Sequence, residues 1–329
     1  MTFWPALGLM AVSFAILAKC ADWLVDGAIG IARRLHVPPM LIGIVLVSVG
    51  TTSPELAVSV GAALDGRPEI ALGNAVGSVI YDDTIALPLT VLLAPAAIRI
   101  DRKVLRSSAI FLITIDVAAY LMAMDGTLSR VEGGVLVLGF VVYLSYLYWD
   151  RRRSGPAEAG VDEQDGEGEM SWGKILLLFT GGLVGVLVSS HWIVKAAPVV
   201  AAALGVPDLI IGLTMIALGT SIPEIATCII AARKSQGSLA VGNILGADIL
   251  NICWIAGASA VANPMTVSLN IINFIFPSML VVVLTMLTLM RMGYQLEKWK
   301  GWVLMALCPI YLFLLFSTGI ASEVITEVH

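Results

Sequence analysis

The segment Gly50-Thr51-Thr52-Ser53-Pro54-Glu55 lies within a long apolar stretch, and Gly219-Thr220-Ser221-Ile222-Pro223-Glu224 repeats it 169 residues later. Each copy places a glutamate directly after a proline, in a segment with the composition of a membrane span. A carboxylate is costly in hydrocarbon, which does not solvate its charge, so an acidic residue at that depth indicates a functional site. Two copies in matching contexts strengthen this interpretation.

The similarity between the two halves extends far beyond these motifs and contains no gap. The matched pairs include Trp23 with Trp192, Val37-Pro38 with Val206-Pro207, Gly43 with Gly212, and Gly73-Asn74-Ala75-Val76-Gly77-Ser78 with Gly242-Asn243-Ile244-Leu245-Gly246-Ala247. A match of this length at one constant offset indicates an internal duplication. We therefore divide the chain into a first repeat (residues 1–150), a linker (151–172) and a second repeat (173–329).

The composition is that of a membrane protein. Of the 329 residues, 58% are hydrophobic and 13% are charged, and the mean hydropathy is +0.93. Because a span needs ~20 apolar residues, the pattern predicts about ten helical spans. Their expected positions are roughly 3–25, 38–64, 69–95, 104–123, 131–149, 173–200, 207–233, 238–262, 268–290 and 300–318.

The predicted fold is an all-α polytopic membrane protein built from two five-helix repeats. Because five is an odd number, the second repeat must cross the membrane in the opposite orientation to the first. Inverted-topology repeats of this kind are typical of secondary transporters.

Basic residues predict the orientation. They are concentrated in one set of loops, whereas the opposite set carries only Arg67 and Arg130. By the positive-inside rule, both termini are expected outside, and the linker is expected in the cytoplasm of a prokaryotic cell, whose inner membrane would hold the protein. The linker begins with three arginines and then becomes acidic and glycine-rich, which is typical of a flexible connector. It lacks the pattern of an EF-hand calcium loop.

Oxygen-bearing side chains recur at matching positions in the two repeats. The first set is Thr51, Thr52, Glu55, Ser78 and Asp82, and the second is Thr220, Ser221, Glu224 and Asn251, with Ala247 at the position of Ser78. Thr51 and Glu55 are four residues apart, as are Ser78 and Asp82, so each pair shares one face of a helix. The prolines open the helical hydrogen-bond ladder and free carbonyl groups about one turn earlier. Together these oxygens are the ligands that a hard cation prefers.

Several polar residues have simpler interpretations. Thr52, Ser53, Ser59 and Thr227 are expected to hydrogen-bond to the helix backbone or to join helices. The sequence leaves open whether Asn74 and Asn243 are hydrogen-bond partners between helices. The four cysteines lie in apolar segments without metal-binding spacing, which indicates packing residues.

The doubled motifs resemble the two α-repeats of the calcium/cation antiporter superfamily, whose best-known members are sodium/calcium exchangers. The family pattern is close to G-T-S-x-P-E followed by G-N-x-x-G-S-N-x-x-N/D. Here the first repeat has G-T-T-S-P-E and G-N-A-V-G-S-V-I-Y-D, and the second has G-T-S-I-P-E and G-N-I-L-G-A-D-I-L-N. The resemblance covers both repeats, the number of spans and their orientation.

The resemblance implies a role for each matching residue. Glu55 and Glu224 would be the central calcium ligands, completed by the backbone carbonyls of Thr51 and Thr220. Ser78, Thr51 and Glu55 would form one sodium site, Thr220 and Glu224 its symmetry mate, and Asp82 and Asn251 would occupy the remaining central positions. The first and sixth spans would slide past the other helices during alternating access. The chain departs from the pattern at Ala247, which replaces a serine, and at Val79 and Asp248, which replace asparagines.

The expected function is therefore exchange of calcium for sodium, with no catalysis and no cofactor other than the transported ions. The expected partners are the lipid bilayer and inorganic cations, without nucleic acid, and the chain is expected to act as a monomer. Three other transport functions stay open: proton-coupled exchange, indicated by Ala247 and the additional carboxylates, transport of magnesium or manganese, and a channel. An intramembrane aspartyl protease using Tyr81-Asp82 and Asp248 is a remote alternative, because an acid dyad would not require duplicated Pro-Glu motifs.

Overall fold

The structure is a computed structural model that describes residues 2–154, 170–204 and 218–317. Within these ranges the chain is mainly helical, with short turns and four strands of two residues each. Residues 155–169 of the predicted linker and residues 207–217 of the predicted seventh span lie outside the described residues.

The first repeat consists of helical rods, some of which contain a π-helical segment. The elements are α1 (Phe3–Leu35), α2 (Pro39–Ile42), π1 (Gly43–Val47), α3 (Ser48–Thr51), α4 (Ser53–Leu64), α5 (Pro68–Tyr81), π2 (Asp82–Ala86), α6 (Leu87–Leu93), β1 (Ile98–Arg99), α7 (Arg102–Ala123), β2 (Thr127–Leu128) and α8 (Arg130–Ser154). The rod from α2 to α4 bends by 47° between Thr51 and Ser53. The next rod, Pro68–Leu93, is continuous through α5, π2 and α6.

The second repeat has a similar order of elements. They are α9 (Trp172–Ala203), α10 (Ile222–Arg233), α11 (Gly237–Leu250), π3 (Asn251–Ala256), α12 (Gly257–Ala262), β3 (Met265–Thr266), π4 (Ile271–Ile275), α13 (Phe276–Arg291), β4 (Gln295–Leu296) and α14 (Lys298–Ser317). The rod Gly237–Ala262 is continuous through α11, π3 and α12, as its counterpart is in the first repeat.

The prediction of an all-helical membrane protein is confirmed. Within the described ranges, eight helices are long and apolar enough to cross a membrane, and the bent rod Pro39–Leu64 makes nine if it is counted as one span. The described part of the predicted seventh span is residues 218–233, which include α10. The first helix is longer than the predicted 3–25, because it continues to Leu35 with Ala28 and Ile31 buried in the core.

Helices α1 and α9 form an extensive contact with each other. A Cβ atom added at Gly27 would lie 2.5 Å from the backbone nitrogen of Phe179, and one added at Gly182 would lie 2.8 Å from the carbonyl oxygen of Cys20. Only residues without a side chain allow two helices to approach so closely, as is common in membranes.

Helix α1 meets the second repeat again through an ion-pair cluster. Lys234, directly after α10, lies 2.6 Å from a carboxylate oxygen of Asp22 and 2.6 Å from one of Asp26. The same Asp22 also pairs with Lys19 at 3.0 Å. All of these side chains are partly exposed, so the cluster lies at the edge of the bundle rather than in its core.

The rods Pro68–Leu93 and Gly237–Ala262 form the centre of the molecule. In their apolar segments 78% and 83% of the residues are buried, compared with 22–50% in the other six spans. Two antiparallel strand pairs join the repeats outside this centre, because β1 pairs with β4 and β2 pairs with β3.

Candidate cation-binding site

Each Pro-Glu motif starts a new helix. The residue before α4 is Thr52 (φ −80°, ψ 7°), and the one before α10 is Ser221 (φ −78°, ψ 3°), and neither has helical ψ. The proline of each motif lies in the first turn of its helix, where a missing N–H breaks no hydrogen bond. Glu55 and Glu224 consequently lie in that first turn as well, where the helix dipole favours a negative charge.

The second group of candidate residues lies on the two central rods. Ser78 and Asp82 are one turn apart and are 0% and 1% exposed, and Asn251 is also fully buried. Asp82 is the first residue of π2, and Asn251 is the first residue of π3. Short π-helical segments widen a helix locally and are frequent at functional sites. The two repeats therefore change helix geometry at matching positions, beside the motif glutamates.

The structure brings the two motifs together across the repeats. Thr220 and Ser221 of the second repeat are close enough to interact with the carboxyl group of Glu55, and Thr51 of the first repeat interacts with Glu224. Asp82 is an electrostatic neighbour of both glutamates and also of Ser221. The site is therefore assembled from both halves of the chain.

The acidic oxygens at this centre are buried and incompletely hydrogen-bonded. Within the described residues, both carboxylate oxygens of Glu224 and Asp82 and one of Glu55 have no hydrogen-bond partner, nor do the hydroxyls of Ser78 and Ser221 and both amide atoms of Asn251. Buried polar atoms in native proteins are nearly always satisfied. Cations would supply the missing partners, because carboxylate, hydroxyl and amide oxygens are hard ligands. Among the described residues no three His, Cys, Asp or Glu side chains form a ready metal cluster, so a cation would also need these neutral oxygens.

Asn74 and Asn243 are hydrogen-bond partners between helices, which the sequence left open. The Oδ1 atom of Asn74 accepts from the hydroxyl of Thr220 at 3.3 Å, and that of Asn243 accepts from the hydroxyl of Thr51 at 3.3 Å. Each asparagine thus contacts a motif threonine of the other repeat. The Nδ2 atom of Asn74 donates to Ser59 at 3.0 Å and to the carbonyl of Glu55 at 3.3 Å.

The equivalent anchor of Asn243 is different. Its Nδ2 atom donates to the sulfur of Cys228 at 3.3 Å, and the thiol lies 3.5 Å from the carbonyl of Ala240. Cys228 occupies the position of Ser59 in the duplicated sequence. Sulfur is a weaker acceptor than a hydroxyl oxygen, so this asparagine is held less firmly.

Close packing of the repeats requires glycine at two crossings. A Cβ atom at Gly43 would lie 2.7 Å from the backbone nitrogen of Asn243, and one at Gly242 would lie 2.9 Å from the Cα atom of Met40. Gly43 and Gly242 are therefore close-packing residues at helix crossings. Gly73, the matching residue of the first repeat, has nothing within 4 Å among the described residues.

Thr52 is placed differently from the other candidate residues. Its hydroxyl donates to the carbonyl of Ser48 at 2.8 Å, one turn earlier in the helix. The hydroxyl of Ser53 likewise donates to the carbonyl of Gly50 at 2.5 Å. Thr52 and Ser53 thus bond to the helix backbone, and Ser59 joins two helices by accepting from Asn74, as predicted for these residues.

A second acidic cluster lies behind the candidate site. The Asp83 and Asp248 carboxyl groups interact with each other, and Asp116 of α7 is an electrostatic neighbour of both. All three side chains are 0% exposed and lack hydrogen-bond partners within the described part of the chain. Asp83 lies beside Asp248 and Asp116. Asp82 lies beside both glutamates and is also an electrostatic neighbour of Asp83 and Asp248. Asp116 was overlooked, although its position inside the predicted span 104–123 carries the same signal as Glu55.

Comparison with protein families gives a match over nearly the whole chain. A family model described as sodium/calcium exchanger protein matches residues 5–149 and 174–317. The putative antiporter CaxA of Alkalimonas amylolytica is 33% identical to this chain over 313 residues, which cover 93% of this chain and 97% of that protein. The sodium/calcium exchanger MaX1 of Methanosarcina acetivorans is 29% identical over an alignment of 343 residues with gaps, and the alignment covers 94% of this chain and 97% of that protein.

The fold also matches solved structures. A structure of the sodium-calcium exchanger NCX_Mj, soaked with Na⁺ and Sr²⁺, superposes with a TM-score of 0.80 at 27% sequence identity. The superposition covers 95% of this chain and 98% of the other.

Proposed function

The chain belongs to the sodium/calcium exchanger protein family, and from this membership we propose that it is a secondary active antiporter that exchanges Ca²⁺ for Na⁺ by alternating access. The family consists of transporters, so no catalytic step is involved. The ions are cargo, and the chain's own residues bind them and hold them in place.

The observation that carries this proposal is the convergence of Glu55 and Glu224, each at a helix break, with Asp82 of a central rod. Ionised and without a counter-charge, these buried carboxylates would repel one another in a medium of low dielectric constant. One divalent cation, or several sodium ions, would neutralise the same oxygens. Occupancy by one kind of ion therefore excludes the other, which couples the two fluxes. An empty, fully charged site would cross the membrane poorly, and this suppresses leak.

The proposed ligands follow the duplicated motifs. Glu55 and Glu224 hold Ca²⁺ together with the carbonyl groups of Thr51 and Thr220. Asp82 and Asn251 complete the centre from the two central rods. Sodium binds on either side of it, with Ser78, Thr51, Glu55 and Thr52 in one half and Thr220, Ser221 and Glu224 in the other.

The proposed domain organisation is that of two inverted repeats, 1–150 and 173–329, joined by the linker 151–172. The strand pairs support it. β1 and β3 follow equivalent rods of the two repeats, and β2 and β4 also occupy equivalent positions. The strands that pair are not equivalent, because β1 pairs with β4 and β2 pairs with β3. The 22-residue helix α7 connects β1 to β2 and so separates the two strand pairs along the bundle. Equivalent loops at opposite ends of the bundle are what inverted topology requires.

The protein is an integral membrane protein, and its proposed location is the inner membrane of a prokaryotic cell. The excess of Lys and Arg in one set of loops supports an orientation with both termini outside and the linker in the cytoplasm. A monomer is the proposed functional unit, because both halves of the site come from one chain.

The test is uptake of radioactive Ca²⁺ into proteoliposomes under an outward Na⁺ gradient or an outward H⁺ gradient, with the membrane potential clamped. We expect uptake only with the Na⁺ gradient, and loss of uptake in Glu55→Gln and Glu224→Gln. Asp65→Asn, which alters an exposed carboxylate at the end of α4, is the matched control and should transport normally. Uptake driven only by protons would replace sodium coupling with proton coupling, and normal uptake by either glutamine variant would overturn the site.

A further inference from the structure

The hydroxyl groups of Thr220 and Thr51 each lie between an asparagine and a glutamate of the site. The Thr220 hydroxyl lies 3.3 Å from Oδ1 of Asn74 and interacts with the carboxyl group of Glu55. The Thr51 hydroxyl lies 3.3 Å from Oδ1 of Asn243 and 3.4 Å from the carbonyl oxygen of Ser48. The Glu224 carboxyl group is a neighbour of this hydroxyl but accepts no hydrogen bond from it. A hydroxyl has one proton to donate and two lone pairs. Its proton can therefore point at the carboxylate or at the asparagine, but not fully at both.

The direction of that proton matters to a cation bound at the carboxylate. A proton pointing at Glu55 occupies a lone pair that a cation needs, and it places positive charge beside the cation. A proton pointing at Asn74 leaves the carboxylate free and turns the hydroxyl lone pairs toward the site.

Asn74 is well placed to receive the proton, because its amide is fixed in one orientation. The Nδ2 atom donates to Ser59 and to the carbonyl of Glu55, which leaves Oδ1 as the acceptor that faces Thr220. Asn243 has the same role on the other side, with Cys228 in place of Ser59. Both asparagines are almost fully buried, at 2% and 1% exposure, so water does not compete strongly for these bonds.

We propose that Asn74 and Asn243 are positioning residues that hold the hydroxyl protons of Thr220 and Thr51 away from the glutamates when a cation is bound. This proposal rests on the proposed function, since it concerns the same site. Each asparagine acts on a threonine of the other repeat. Loading of the site is thereby linked to the contact between the two halves of the chain.

The experiment is a double-mutant cycle on the full-length protein. The variants are Asn74→Leu, Thr220→Val and their combination, with Thr220→Ser as the matched control that keeps the hydroxyl. The measurements are the Kd for Ca²⁺ of the purified protein by calorimetry and the KM for Ca²⁺ in sodium-driven uptake. Unfolding without ions is measured for each variant, so that loss of stability is separated from loss of affinity.

We expect Asn74→Leu to raise Kd and KM about 2-fold to 10-fold, the effect of one hydrogen bond. In the Thr220→Ser background, Asn74→Leu should raise Kd and KM by the same factor as in the unaltered protein. In the Thr220→Val background it should hardly change them, because valine has no hydroxyl proton. An unchanged Kd in Asn74→Leu, or an equal rise in the valine background, would overturn the proposal.

A matching cycle with Asn243→Leu and Thr51→Val tests the other half and serves if Asn74→Leu does not fold. If the unaltered protein neither binds nor transports Ca²⁺, the proposed function fails and this proposal fails with it. If the unaltered protein transports Ca²⁺ normally but the effects of the two substitutions simply add, the proposed function stands and the role of the asparagines is refuted.

Discussion

The hydroxyl of Thr51 lies 3.3 Å from the side-chain oxygen of Asn243, although 192 residues separate them in the sequence. The corresponding pair, Thr220 and Asn74, has the same distance. The two contacts are related by the internal duplication and run in opposite directions between the repeats. Each repeat thus completes the binding motif of the other.

Asp82 and Asp83 are adjacent carboxylates with different neighbours, and we expect them to respond differently to substitution. Asp82→Asn removes a charge beside Glu55 and Glu224 and should raise the KM for Ca²⁺ at least about 10-fold, since charged ligands dominate binding of a hard cation. Asp83→Asn alters the cluster with Asp248 and should leave KM within about 2-fold. Uptake kinetics in proteoliposomes check both values, and equal effects would contradict the assignment of Asp82 alone to the site.

Ala247→Ser restores a hydroxyl at the position that matches Ser78. The side chain of Ala247 is fully buried, so the added oxygen would be shielded from water. We expect a lower Na⁺ concentration for half-maximal inhibition of Ca²⁺ uptake, because sodium gains a ligand. Ala247→Cys has a similar size without a hard ligand and should not show this change. A sodium dependence that is equal in the two variants would rule out a ligand role for the hydroxyl.

Gly242→Ala should be strongly destabilising, because its Cβ atom would meet the backbone of Met40 at a distance that real atoms do not adopt. Overpacking of this kind costs about 1–3 kcal/mol, and more where backbone must move. Gly73→Ala is the control at the matching position of the first repeat, where the described residues leave space within 4 Å. Thermal unfolding in detergent measures both variants. Equal losses of stability would show that helix flexibility, rather than the crossing, determines the effect.

Lys234→Met removes the ion pairs between the end of α10 and helix α1. Burial alone would lower the pKa of Lys234, but its bonds to Asp22 and Asp26 outweigh burial and raise it. A raised lysine pKa means that the stabilisation is complete below the usual value of 10.5 and is lost only as the pH rises through the higher folded-state value. We therefore expect Lys234→Met to lower the free energy of unfolding by less than about 1 kcal/mol. The decrease should be the same at every pH between about 6 and 9 and smaller at high salt. A decrease in the free energy of unfolding that appeared only above pH 7 would contradict this account.

Cys228→Ser replaces the sulfur that accepts from Asn243 with the group found at Ser59. A hydroxyl oxygen is a better acceptor, so Asn243 should be held more firmly and the KM for Ca²⁺ should fall modestly, by about 2-fold. Cys253→Ser, at another buried cysteine, provides the comparison and should not lower KM. The reciprocal change, Ser59→Cys, is expected to raise KM. A fall in KM in both serine variants would assign the effect to general packing.

The helical fold and the motif glutamates could be predicted from the sequence, because both depend on local composition. Apolar stretches of fixed length define spans, and Glu55 and Glu224 are conspicuous within them. The predicted first span ends at residue 25, whereas helix α1 continues to Leu35, because a charged residue such as Asp26 ends an apolar stretch without ending a helix. In the structure, Asp26 instead pairs with Lys234, which lies 208 residues away.

Other features of the site depend on contacts between the repeats and have no local signal. The hydrogen bonds of Asn74 and Asn243, and the separation of Asp82 from Asp83, are fixed only when the two central rods pack together. The π-helical turns that begin at Asp82 and Asn251 follow no pattern in the apolar residues. The duplication itself does predict that such features occur in pairs.

The difference between Ser59 and Cys228 affects the balance between the two ends of the transport cycle. In a molecule made of two identical inverted halves, the form open to one side would be the same structure as the form open to the other, and both would have the same free energy. The two halves of this chain differ at this position and again at Asp82 and Asn251. The two forms of this protein therefore differ in free energy. Without any gradient, the resting protein should favour one facing direction, and the two sides of the membrane should present unequal apparent affinities to the ions.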